Sequence, residues 1–192
     1  CREHATHAMA SQPLGHVLAI GATYASPCAN PVCGITLSAL PCSSESADRV
    51  GTAFRGVGYR VSRLRGRVTT GRVSQLIQDI TTTKMASNSV LVVYFCGHGV
   101  AVGLHQQLVM ESGHLVPVHD IVALVSRIVL ERGLRNVSLL LMMDCCRHSC
   151  NNGPSRIVAA CVFVCEKASV RAAAFCWHGG LTSCGRGGRG LL

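Results

Sequence analysis

Aromatic side chains are scarce, only 4% of 192 residues, so a core has to be built from Val, Leu, Ile and Ala rather than from stacked rings. Acidic residues are also few, 9 against 18 Lys and Arg, for a formal charge of +9. Such a balance suits nucleic acid or an anionic membrane. Yet Arg60, Arg63, Arg65, Arg67 and Arg72 are spread along the chain, with no recognition helix, zinc finger or aromatic-interleaved motif beside them. No specific nucleic-acid partner is therefore expected. No uninterrupted apolar run approaches the roughly 18 residues a membrane span needs, and CREHATHAMASQP has no apolar signal-peptide core; no membrane partner is expected. The chain opens on Cys1 rather than Met, and an upstream portion is expected.

What is present points to one folded domain. Apolar residues make up 48% of the chain, far more than a disordered sequence carries. Twelve Cys could signal a disulfide scaffold, but Cys96, Cys145, Cys146, Cys161 and Cys165 lie in or beside apolar runs where a free thiol is a small hydrophobe. A reducing, cytoplasmic setting is the simpler reading. His16 to Tyr24 reads as a first strand, and a breaker-rich loop follows to about Ser44. A helix is expected over Ser46–Val57, weakened by Gly51 and Gly56, then a strand through YRVSRL. A second helix falls within Val73–Met85. SVLVVYFC, continuous and β-branched, reads as a central strand apolar on both faces. Gln106–Met110 suggests a short hairpin element, His119–Glu131 a third helix, and Val137–Met143 and Ile157–Val164 two more strands. This alternation predicts an α/β sheet with crossover connections.

In such sheets ligand sites gather beyond the carboxyl ends of the strands, which singles out GHG after Cys96 and DCCRHS after Met143. His98 lies between two glycines that remove side-chain bulk, as a base reaching for a scissile bond requires; a purely structural turn histidine is the alternative. Cys146 follows VSLLLMMD and reads either as an inert buried thiol or as a nucleophile. Asp144 reads either as the cap of a following turn or as a pocket carboxylate. His148 is a second, less suitable base because it stands two residues from Cys146. Cys145, Cys146, His148 and Cys150 crowd together, but they lack the two separated chelating pairs of a structural zinc site, and Cys28, Cys33 and Cys42 supply no clear partner set.

YFCGHG and MDCCRHS resemble the YxSGHG and D-x-C-[HR]-S motifs of caspase-like cysteine peptidases, closest to the metacaspase and paracaspase type. His98 and Cys146 stand 48 residues apart, near the spacing of roughly 50 known for caspases. LAIGATY is similar to the family's opening strand, and SADRVGTAFRGVGYRVSRL to its first helix and second strand. RIVAACVFVCEKASVRAAAF looks like the strand and helix that follow the nucleophile, so the resemblance spans roughly Val17 to Thr182. It implies a mostly parallel sheet flanked by helices in a three-layer sandwich. An N-terminal extension over 1–15, a catalytic domain over 16–184 and a flexible Gly/Arg-rich tail over 185–192 are expected, with the fold truncated at its C-terminal end.

The resemblance implies a His98–Cys146 dyad, with Cys146 rather than Cys145 as nucleophile and backbone N–H groups of Gly99 and Cys146 as the oxyanion site. It implies Asp144 as the substrate-pocket carboxylate, hence protein or peptide substrates cleaved after Arg or Lys, since a carboxylate pairs with guanidinium through charge-assisted bonds. The Asp that relatives carry at the start of the first helix is replaced by Ser46 when counted back from Gly58; a one-residue slip would bring in Glu45, and Asp48 is nearby. Arg147 matches a variable position and is given no chemical step. No third orienting residue can be picked. No cofactor is assigned; calcium activation is allowed by the resemblance, although no EF-hand loop is present. The alternative is a catalytically inactive caspase-like regulatory or scaffold module.

Overall fold

A computed structural model describes residues 13–24, 28–29, 36–65, 67–102, 105–149, 153–166 and 169–177, with side chains over 13–24, 36–65, 67–100 and 106–145. The tail expected over 185–192 and most of the extension expected over 1–15 lie outside these residues.

Four parallel strands make the centre of the sheet: β1 (Gly15–Gly21), β4 (Arg60–Leu64), β5 (Val90–Val102) and β8 (Val137–Ser149). The order β10-β9-β8-β5-β1-β4 is completed by β9 (Gly153–Glu166) and β10 (Ser169–Trp177), both antiparallel to their neighbours. β6 (His105–Val109) pairs with the far end of β5, and β7 (Leu115–Pro117) with β6. A two-residue pair, β2 (Cys28–Ala29) with β3 (Thr36–Leu37), lies within the segment expected to be a loop.

Among the described residues three helices cover the sheet. α1 (Ser43–Gly56) connects β1 to β4; Ala47 and Val50 pack on Ala19, Tyr94, Cys96 and Met142. α2 (Thr70–Thr83) and α3 (Val118–Glu131) bury Val73, Ile77, Ile80, Ile121, Val125 and Val129 in a separate cluster with Leu18, Ile20, Leu91, Val93, Leu139 and Leu141. The sandwich is thus three-layered. Moving from β1 to β4 runs one way across the sheet, whereas β4 to β5 and β5 to β8 run the other. Right-handed crossovers therefore send α1 to one face and α2 and α3 to the other. The reversal falls between the adjacent strands β1 and β5, where the crevice of an open α/β sheet forms.

Local chemistry accounts for the helix limits. Thr69 caps α2, its hydroxyl accepting from the Arg72 N–H at 3.4 Å. α1 starts at Ser43, earlier than periodicity suggests, because Ser43 and Ala47 carry its buried face one turn further back. Gly51, which local propensity marks as weakening, permits a close approach: a Cβ there would meet Val61 Cγ1 at 3.0 Å and Arg63 Nε at 3.1 Å. The expected helix after Val164 is corrected. Ser169–Trp177 is a strand in register with Val158–Glu166, giving β9 a partner on the edge that β8 leaves open.

Candidate active site

The site stands at the carboxyl ends of β1, β5 and β8. β1 pairs with β5 only as far as Gly21 opposite Cys96; from His98 onward the vacated side of β5 is taken by β6, with His98 opposite Val109. On its other side β5 stays paired with β8, and His98 is the register partner of Cys146. Neighbouring strands lie about 4.8 Å apart, so the two backbone positions are direct neighbours across the sheet. The side chain of Cys146 is outside the described set, as are those of Arg147, His148 and Cys150.

His98 is 3% exposed and held from three directions. Its backbone N–H donates to Tyr24 Oη at 2.9 Å. The Tyr24 ring tilts against the imidazole with centroids 4.6 Å apart. Nε2 lies 2.7 Å from the Ser38 carbonyl oxygen. A carbonyl only accepts, so Nε2 carries the proton in the neutral ring and Nδ1 is the basic nitrogen. Tyr24 Oη in turn donates to the Val109 carbonyl in a very short hydrogen bond. Glu111 anchors the segment that carries Tyr24. Its Oε1 accepts from the Thr23 N–H at 2.7 Å and from the Thr23 hydroxyl at 3.2 Å, and its Oε2 accepts from the Val68 N–H at 3.0 Å.

Gly97 is small for an internal reason. A Cβ there would meet the Phe95 ring at 2.7 Å and Tyr24 Oη at 2.9 Å, so at this position the space is claimed by the protein's own rings.

Asp144 lies within β8 opposite Cys96, which removes the capping role: no helix or turn begins there. Its Oδ2 accepts from Tyr94 Oη at 3.3 Å and, weakly, from Cys96 Sγ at 3.9 Å. Burial, then the Cys96 and Asp144 charges, push the Tyr94 phenol far up, keeping it a donor. Burial and Asp144 also raise the Cys96 thiol, while the hydroxyls of Ser43, Tyr94 and Ser46 pull the other way. Ser46 thus faces the carboxylate-bearing cluster, at the place counted for it from Gly58. Glu45 and Asp48 are turned to surface ion pairs, with Arg49 at 2.7 Å and Arg63 at 3.0 Å.

Cys145 points the other way. It is 6% exposed, belongs to the apolar cluster beneath α2 and α3, and its sulfur receives a weak hydrogen bond from Gln106 at 3.8 Å.

The model of the caspase domain matches residues 15–174. The chain belongs to the caspase-domain family. This is a family of cysteine peptidases acting on protein substrates, and the three-layer fold with its mostly parallel centre agrees with it. No curated protein sequence matches the chain. No described helix is long and apolar enough to cross a membrane. Among the described residues no group of three His, Cys, Asp or Glu is gathered as for a metal ion.

Tyr24, Ser38 and Glu111 have no role in the motif-based reading. Tyr24 was visible at the end of LAIGATY. Ser38 acts through its carbonyl, which no residue type announces, and Glu111 acts on backbone groups distant in sequence.

Proposed function

We propose that this caspase-domain protein is a cysteine endopeptidase of the metacaspase or paracaspase type, cleaving after Arg or Lys in a cytoplasmic setting. The observation that supports it is the register pairing of His98 with Cys146 on parallel strands. The Cys146 thiolate attacks the peptide carbonyl. His98, oriented by the Ser38 carbonyl, takes the thiol proton on Nδ1 and delivers it to the leaving amine, and water then hydrolyses the thioester. A free thiol is only a few per cent ionised at neutral pH, so the histidine supplies the activation. Asp144 reads the basic residue before the cleaved bond, and the Gly99 and Cys146 N–H groups receive the oxyanion, one such donor being worth about 3 kcal/mol.

A second reading, an inactive caspase-like regulatory or scaffold module, is favoured by one feature. Gly99 has β8 and β6 on its two sides and Cys146 has β5 and β9. An N–H bonded to a neighbouring strand cannot also meet an oxyanion, so turnover requires these strand ends to part. The test is hydrolysis of Arg-, Lys- and Asp-terminated reporter peptides by wild type, Cys146→Ala and Cys145→Ala, with and without calcium. Activity on Arg that is lost only in Cys146→Ala is the expected result. Faster cleavage after Asp overturns the specificity, and no turnover in wild type selects the inactive module.

A further inference from the structure

The segments that hold His98 meet at Thr23. The Thr23 N–H and hydroxyl both donate to Glu111 Oε1, at 2.7 and 3.2 Å, while its carbonyl accepts from the Leu40 N–H at 2.8 Å. Tyr24, the next residue, receives the His98 N–H on its hydroxyl. Ser38, two residues before Leu40, presents its carbonyl to His98 Nε2. The backbone hydrogen bond of His98 and the ring hydrogen bond to Ser38 therefore both trace back to Thr23, and Thr23 is gripped by Glu111.

That grip acts on a strained residue. Tyr24 has a φ of 51°, in the left-handed region where a bulky L side chain crowds its own backbone. Such a conformation persists only where its surroundings over-determine it. The turn after β6 does so from both ends: the Val109 carbonyl accepts from the Tyr24 hydroxyl, and Glu111, two residues on, holds the N–H of Thr23. The turn is itself fixed. The Met110 N–H donates to the His114 carbonyl at 2.8 Å, and Glu111 and Val68 exchange two hydrogen bonds, the Glu111 N–H to the Val68 carbonyl and the Val68 N–H to Glu111 Oε2, each at 3.0 Å. Met110 and Val68 are fully buried.

We propose that Glu111 is a positioning residue for the base His98, acting through Thr23 on both Tyr24 and the Ser38–Leu40 segment. Its effect on turnover rests on the peptidase reading above; its effect on the imidazole rests on these contacts alone. A carboxylate suits the place because both of its oxygens accept, one facing the two Thr23 donors and the other the Val68 N–H. A glutamine there has one accepting oxygen, and its NH2 group would face an N–H. Releasing Thr23 lets Tyr24 relax from its strained φ, which withdraws the hydroxyl from the His98 N–H, and frees Leu40 to draw the Ser38 carbonyl from Nε2. The ring then loses the acceptor that fixes its proton on Nε2, and with it the assignment of Nδ1 as the basic nitrogen.

The experiment compares the whole chain as wild type, Glu111→Gln and Glu111→Ala with Ile80→Val, a buried change in α2 that lowers stability without removing any Thr23 contact. Hydrolysis of an Arg-terminated reporter and the 15N NMR spectrum of the imidazoles are measured at a temperature where the variants are folded. The expected result is a kcat about tenfold lower in Glu111→Gln with KM changed less than about twofold, a larger loss in Glu111→Ala, and an unchanged kcat in Ile80→Val. The His98 ring should pass from one Nε2–H tautomer in wild type to a mixture in the Glu111 variants. Should Glu111→Ala fail to fold, Glu111→Gln decides alone. A kcat in Glu111→Gln no lower than in Ile80→Val, or a single Nε2–H tautomer kept in Glu111→Gln, overturns the proposal. Absence of turnover in wild type overturns the peptidase reading instead, and the tautomer comparison then decides whether Glu111 positions the ring.

Discussion

Replacing Tyr24 by Phe tests how the candidate base is held. The hydroxyl of Tyr24 accepts from the His98 N–H and donates to the Val109 carbonyl, and the residue is 2% exposed. Phe keeps the ring and its tilted contact with His98 but leaves one backbone donor and one backbone acceptor unsatisfied inside the fold. A typical hydrogen bond contributes about 1 kcal/mol net, and a buried group left bare costs about 1–3 kcal/mol. With a second lone pair the carbonyl suffers less than the amide, so the expected loss is roughly 2–3 kcal/mol. Urea unfolding of Tyr24→Phe should show a lower midpoint at unchanged m, and hydrogen exchange at the His98 amide should accelerate. If the variant hydrolyses Arg reporters, kcat should fall several-fold more than KM changes, because ring orientation rather than substrate contact is disturbed. A stability loss below about 0.5 kcal/mol, with His98 exchange unchanged, would refute the idea that this hydroxyl holds the histidine.

Glu111→Ala should destabilise by about 2 kcal/mol in the same assay, since the Thr23 and Val68 N–H groups lose their acceptor; Glu111→Gln, which can restore only part of this set, should fall between. Gly97→Ala should lower Tm and loosen His98 together, because the new Cβ displaces the Phe95 ring or the Tyr24 hydroxyl. His16 gives a pH prediction. Its folded pKa of about 4 lies below the ordinary 6.5, so as pH falls the unfolded chain takes the proton first. The stability from keeping His16 neutral is complete above pH 6.5 and is lost toward pH 4, roughly 3 kcal/mol in all. Urea unfolding of wild type and His16→Gln across that window should give curves that converge at low pH, and parallel curves would contradict it.

Much of the architecture was legible because it rests on local pattern. β4, β6 and α3 lie within a residue or so of where periodicity puts them. The misses come from partners far along the chain. β5 was expected to stop at Cys96, where its apolar run ends; it continues to Val102 because β6 replaces β1 as its neighbour from His98 on. Ser169–Trp177 carries Ala-rich sequence that favours helix by propensity, but the open edge of β9 offers backbone pairing that outweighs it.

The two adjacent cysteines show how far a two-residue period carries a site assignment. Along β8, Leu139, Leu141, Met143 and Cys145 are buried against α2 and α3, while Met142 packs toward α1 and Asp144 meets Tyr94 and Cys96 from the same layer. Successive positions of a strand alternate between faces, so position 146 shares the parity of Asp144 and position 145 that of the core. A nucleophile at 145 would be sealed beneath α2 and α3 on the face away from Asp144, and one residue's slip in register would exchange the two roles entirely. The resemblance of MDCCRHS to the family motif points to Cys146. Under the proposed mechanism a carboxylate that reads the substrate and a thiol that attacks the next bond have to share one face of the sheet, a parity that positions 144 and 146 have and positions 144 and 145 do not.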